Sequence, residues 1–89
     1  MAKIEVHQAT EEELKKLGAK GWPIWSCGVS KFPWHYEDKE TCYLLAGKVT
    51  VTAGNEKVSF GRGDLVVFPQ GLDVTWDVTE PVRKHYKFG

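Results

Sequence analysis

From residue 22 to the end, the chain alternates apolar and polar positions, broken only by short clusters of Gly, Pro, Asn and Asp. PIWSCGVSKF, TCYLLAGKVTVTA, EKVSFGRGDLVVFP and VTWDVTEPVRKHYKF each place apolar side chains at every second residue for several steps. That period turns one face of a strand inward and the other outward. EDKE, AGN, GRGD, PQG and TEP lie at the breaks and are expected to be turns. Before this region, KIEVHQ (3–8) alternates and predicts a short strand. TEEELKKLGAKG (10–21) carries the one helical signal. Thr10 is placed to cap the helix, with Glu13 completing a capping box. Glu11, Glu12 and Glu13 suit its positive end, Lys15 and Lys16 its negative end, and Gly18 stops it. Short strands at this spacing, with no helices between them, predict an all-β sandwich or barrel with one short N-terminal helix.

Composition narrows the class. Eighty-nine residues allow a single domain, taken here as 1–89 with its patterned core at 22–88. Hydrophobic residues are 42% and charged residues 27%, as in an ordinary globular protein. Twelve basic residues balance twelve acidic ones, so no nucleic-acid or anionic membrane partner is expected. VRKHYK (82–87) is the densest basic stretch, and alternation splits it over two faces. No apolar run approaches the roughly 20 residues that span a bilayer. MAKIEVHQ lacks the apolar segment of an export signal, so a cytoplasmic location is expected, with Cys27 and Cys42 as reduced thiols. A Cys27–Cys42 disulfide is the alternative.

Spacing of the special residues adds a family resemblance. Gly28 precedes Trp34-x-Tyr36, followed by Glu40 and Gly47; downstream, Gly63-Asp64 leads to Pro69-x-Gly71. This resembles the two-part signature of the cupin superfamily. There the first motif runs Gly, His-x-His, Glu, Gly, and the second runs Gly-Asp, Pro-x-Gly, His. The resemblance implies a cupin, RmlC-like jelly-roll β-barrel, with Gly47 and Gly71 at tight turns between strands. In metal-binding cupins two His, the Glu and the final His converge on one ion. The corresponding positions here are Trp34, Tyr36, Glu40 and Val74, and alternation turns His35 to the opposite face. One carboxylate and one phenol make a poor site for a divalent transition metal. No metal and no cofactor is therefore expected; a replacement site would need His85, Cys27 or Cys42.

W-x-Y before Glu40, CYLLAGKVTV, GDLVVFPQGLDVTWDV and VRKHY together look like the small single-domain cupins. These are related to the cupin domain of ureidoglycine aminohydrolase. The resemblance implies a compact barrel with an internal pocket, commonly dimeric. That enzyme is larger, has two cupin domains and depends on a metal, so its reaction is not implied for this chain.

Alternation also proposes the pocket face. With Glu40 inward, Cys42 and Leu44 follow it, and Trp34 and Tyr36 occupy the inward His positions. Trp76 is inward by its step from Val74. Lys84 and Tyr86 are preferred to Arg83 and His85 because Val82 and Phe88 then share their side. Trp25 is a further inward candidate, with Cys27 beside it. The candidate catalytic set is Glu40, Tyr36 and Lys84; the candidate ligand-binding set is Trp34, Cys42, Trp76, Tyr86 and Trp25. Each has a plainer reading: rings filling a small barrel, Glu40 solvated at a strand start, tyrosines at the rim, Lys84 snorkelling to the surface. His7, His35 and His85 are expected to be exposed or half-buried. The leading expectation is a cupin that binds a small polar molecule in its barrel, with Glu40 as a metal-independent acid or base. One rival is a metal-dependent enzyme acting on ureido or sugar substrates through an unorthodox site. The other is a non-catalytic interaction module. A homodimer is expected, because a chain this short gains stability from association.

Overall fold

The computed structural model describes residues 3–89, so Met1 and Ala2 of the single-domain assignment lie outside the described residues. Among the described residues seven strands form, β1 Glu5–Gln8, β2 Ile24–Cys27, β3 Ser30–His35, β4 Glu40–Ala53, β5 Glu56–Gly61, β6 Asp64–Phe68 and β7 Asp73–Phe88, with one α-helix, α1 Glu11–Leu17, followed by a short 3-10 turn at Ala19–Gly21. All pairings are antiparallel. β4 and β7 are long enough to run through two layers. The first half of β4 lies between β6 and the second half of β7, giving the order β1-β6-β4-β7-β2. The second half of β4 lies between β5 and the first half of β7, and β3 closes that layer on β7. This is the jelly-roll arrangement that the alternation and the cupin-like spacing predicted.

The bend between the layers is built from glycine. Gly47 sits inside β4 with φ 103, at irregularities in the β4–β7 register, rather than at a turn between strands. A Cβ there would lie 2.5 Å from the Pro81 carbonyl oxygen, so only glycine lets the two strands cross this closely. The bulge flips the parity of β4. Glu40, Cys42 and Leu44 are buried before it, Val49, Val51 and Ala53 after it. The expected TEP turn is absent: β7 passes straight through Thr79, Glu80 and Pro81. Pro81 has no N–H to give a ladder, and it lies against the bulge, where the ladder is interrupted. The AGN turn does form, with Gly54 at φ 58 opening a two-residue hairpin between Ala53 and Glu56.

The core lies between the layers. Val49, Val51 and Val78 meet Phe60, Phe68 and Trp76 there. Trp76 is the hub, with Phe60 edge-on at 5.6 Å between ring centroids and Phe68 tilted at the same distance. A second, smaller cluster lies outside the barrel. Leu14 and Ala19 cover Leu65, with Tyr43 and Trp22 at the margin. Thr10 Oγ1 accepts from the Glu13 N–H at 3.2 Å, and Gly18 ends α1 at φ 68, as the sequence predicted. The capping box is only half made, because the Glu13 carboxylate lies 2.8 Å from His7 Nε2 instead. The same cover corrects the expectation for His85. It is buried on the outer face, its Nδ1 2.9 Å from the Trp22 carbonyl oxygen. His7 and His35 are exposed, as expected.

Candidate functional site

At the end of the barrel where β4 begins, the two layers do not close on each other. A cavity of about 240 Å³ remains, lined by Trp25, Phe32, Trp34, Tyr36, Glu40, Trp76, Lys84, Tyr86 and Phe88. Each strand delivers its part by alternation. β3 and the residue after it present Phe32, Trp34 and Tyr36, every second position. β7 presents Trp76, Lys84, Tyr86 and Phe88, all of even number, and β2 adds Trp25. Trp34 and Phe88 stay 49% and 45% exposed, which puts them at the mouth. Glu40 and Lys84 are 2% and 5% exposed, which puts them at the floor.

The floor is one hydrogen-bonded network. Lys84 lies opposite Leu44 in register and runs its stem along the inner face to Glu40. Its Nζ donates to Glu40 Oε2 at 2.6 Å, and the Tyr36 hydroxyl donates to Oε1 at 2.7 Å. The ammonium also lies 4.6 Å from the Trp76 ring centroid and 5.1 Å from that of Trp25. Both carboxylate oxygens and the ammonium thus have partners, and no buried side-chain polar atom among the described residues is left without one. Burial pushes the Tyr36 phenol well above its ordinary range, and the adjacent Glu40 charge adds to the effect, so the hydroxyl remains a donor at any ordinary pH.

Of the eight sequence-selected residues, the structure brings Glu40, Tyr36, Lys84, Trp34, Trp76, Tyr86 and Trp25 to the cavity wall. Cys42 is not there. It points inward one step past Glu40, into the closed core, and is fully buried. Burial pushes its thiol up to about 12, against a smaller opposing pull from Lys84, so it is a core hydrophobe rather than a nucleophile. Cys27 and Cys42 are both free thiols. Phe32 is a wall residue that the sequence reading passed over. Its signal was present, since it shares parity with Trp34 and stacks on Trp76 at 6.2 Å.

The donor set does not fit a cupin metal ion. The four ligand positions carry Trp34, Tyr36, Glu40 and Val74, and the one carboxylate among them is held by Lys84 and Tyr36. His35 faces outward to Asp73, 2.7 Å away, and His85 is turned to the outer face. Among the described residues no three His, Cys, Asp or Glu side chains are grouped to hold an ion.

Fold and pocket together define a small single-domain cupin with an aromatic, amine-floored barrel. A model of the EutQ-like cupin domain matches residues 14–86, and the chain belongs to that family. A DUF861 family protein from Thermotoga maritima of known crystal structure is 48% identical, with a TM-score of 0.95 over 98% of this chain and 100% of that one. The Clostridium difficile EutQ protein is 23% identical with a TM-score of 0.68, over 73% of this chain and 52% of that protein. A putative ethanolamine utilization protein Q from Salmonella typhimurium has the same identity and TM-score, over 73% and 53%. The chain therefore spans about half the length of the EutQ proteins, and their likeness is one of fold. No curated protein matches the chain. No helix among the described residues is long and apolar enough to cross a membrane.

Proposed function

We propose that this cupin binds a small molecule in the barrel mouth, without a metal, and holds its polar end against the Tyr36–Glu40–Lys84 network. One observation carries the reading: a buried charge pair forms the floor of an open aromatic cavity. Burying two charges costs several kcal/mol of desolvation each, and apolar residues of similar volume often do as well or better for stability. A pair kept at the bottom of a cavity is therefore better explained by what enters the cavity than by the fold. The volume, about 240 Å³, is slightly below the usual ~300–1,000 Å³ of drug-sized pockets and suits a small metabolite. The rings supply apolar walls, and the network supplies the few convergent polar groups that fix orientation.

Acid–base chemistry is the finer form of the same reading. Glu40 is the group that would exchange a proton with the ligand, and the Tyr36 hydroxyl and the Lys84 ammonium hold its carboxylate in place. The test is a metabolite screen by thermal shift and tryptophan fluorescence, since Trp25, Trp34 and Trp76 all line the cavity. Compounds that stabilise the wild type are expected to lose most of their effect in Trp34→Ala and to change affinity in Glu40→Gln. If a broad library yields no compound whose effect depends on these residues, the binding reading fails. If compounds bind but none is turned over, the acid–base form fails alone.

A further inference from the structure

The cavity contains every component of a site for an ammonium ion. Two indole faces and a carboxylate converge on one point, and such cages recognise alkylammonium groups. That point is already filled by the chain itself, with the Lys84 ammonium 2.6 Å from Glu40 and 4.6 and 5.1 Å from the Trp76 and Trp25 rings. We propose that Lys84 is a tethered cation that closes the pocket to metal ions and cationic ligands and restricts it to neutral or anionic molecules presenting an oxygen acceptor. This deepens the small-molecule reading and rests on it.

Three features carry the assignment. Glu40 is the one acid among the lining residues, and both its oxygens are engaged, so an entering cation finds no free carboxylate. It would also meet the buried Lys84 ammonium, where like charges repel more strongly than in bulk water. The ammonium has three N–H donors and Glu40 takes one, so the polar capacity offered to a ligand is donor capacity, which an oxygen acceptor satisfies.

Lys84→Ala removes the propylamine end of the side chain and leaves the carboxylate and the two indoles in place. n-Propylammonium, which reproduces the deleted atoms, is expected to raise the melting temperature of Lys84→Ala saturably, by about 5 °C at 100 mM. Matched 1-propanol and sodium chloride controls should not. Lys84→Met fills the same space without charge and is expected not to respond, nor is the wild type. If Lys84→Ala is unfolded without additive, the same titration is followed as recovery of its circular dichroism. Absence of amine-specific stabilisation or refolding overturns the proposal, and so does an equal response in Lys84→Met. In the wild type, benzoate and benzyl alcohol should bind at least tenfold more tightly than benzylammonium; the reverse order overturns the selectivity. Failure of all three aromatic probes counts against the cavity as a ligand site, while the amine arm reads Lys84 directly.

Discussion

Two Lys–Glu bridges join β4 to β7, one on each side of the Gly47 bend, and they differ in almost every physical respect. Glu40 and Lys84 meet at 2.6 Å with side chains 3% and 6% exposed. Lys48 and Glu80 meet at 3.6 Å with side chains 71% and 59% exposed. The exposed pair is an ordinary cross-strand ornament that water and salt can replace. The buried pair is surrounded by rings, and each partner depends on the other for its charge to be tolerated. The inner face of β4 shows the same divide. After the bend it presents Val49, Val51 and Ala53; before it, Glu40, Cys42 and Leu44. After the bend the inner face only closes a core; before it, the same face adds to its core residues one acid, Glu40, at the floor of a cavity.

Breaking the buried bridge from one side is the sharpest way to expose the difference. Glu40→Leu leaves the Lys84 ammonium buried without its partner, and removing one member of a buried pair typically costs about 3–5 kcal/mol. In a domain of this size that lowers the melting temperature by roughly 15–30 °C. The double variant Glu40→Leu with Lys84→Met is expected to recover most of the loss. A cycle measured by urea unfolding decides: strictly additive single effects would mean that the two groups do not depend on each other.

The bend that separates the two halves comes next. Gly47→Ala must place a methyl group 2.5 Å from the Pro81 carbonyl at φ 103, a close approach and a strained conformation together. The expected cost is about 3 kcal/mol, seen as a lower urea midpoint. A variant as stable as the wild type would mean that the bulge is not what bends the strands.

Most of the pocket was legible because alternation is local. Fixing Glu40 as inward settled Cys42 and Leu44, and Val82 and Phe88 settled Lys84 and Tyr86 over Arg83 and His85. What failed was tertiary. Thr79, Glu80 and Pro81 have the composition of a turn, yet the strand continues, because the bulge opposite removes the need for a ladder donor at Pro81. Gly47 sits in a strand rather than the expected turn, because a glycine in sequence marks freedom for a positive φ but not which strand crosses there. His85 is buried because α1 and the turn after it fold over the outer face, and nothing in HYKF announces that cover. Cys42 had the correct parity but the wrong depth, since alternation gives the face of a strand and not where a cavity ends. Alternation puts Glu40 and Lys84 on one face but does not say that they pair, because a contact across forty-four positions depends on strand register.

Titration separates the halves without mutation of the pair. The folded state holds the Cys42 proton to about pH 12, while the unfolded chain releases it near 9.0. Stability from this group is therefore complete below pH 9 and is lost as pH rises from about 9 toward 12. Burial of the Tyr36 phenol acts in the same direction at higher pH. Urea midpoints of the wild type should fall between pH 8 and 10 by roughly 1 kcal/mol more than those of Cys42→Ala, with the same slope in both sinking the idea.

The smallest effect belongs to the exposed bridge. Lys48 and Glu80 are directly opposite in register and meet at 3.6 Å. Even so, its partners are mostly in water, where a median pair contributes about 0–1 kcal/mol and holding two long side chains in one geometry offsets much of that. Lys48→Ala and Glu80→Ala should each shift the urea midpoint by less than about 0.5 kcal/mol equivalent, with a coupling that fades in 0.5 M salt. The Glu40–Lys84 coupling should be nearly unchanged by the same salt, because counter-ions do not reach the cavity floor. If both couplings fell together with ionic strength, the floor would be wetter than its burial implies, and the contrast between the two ends of the ladder would be one of distance alone.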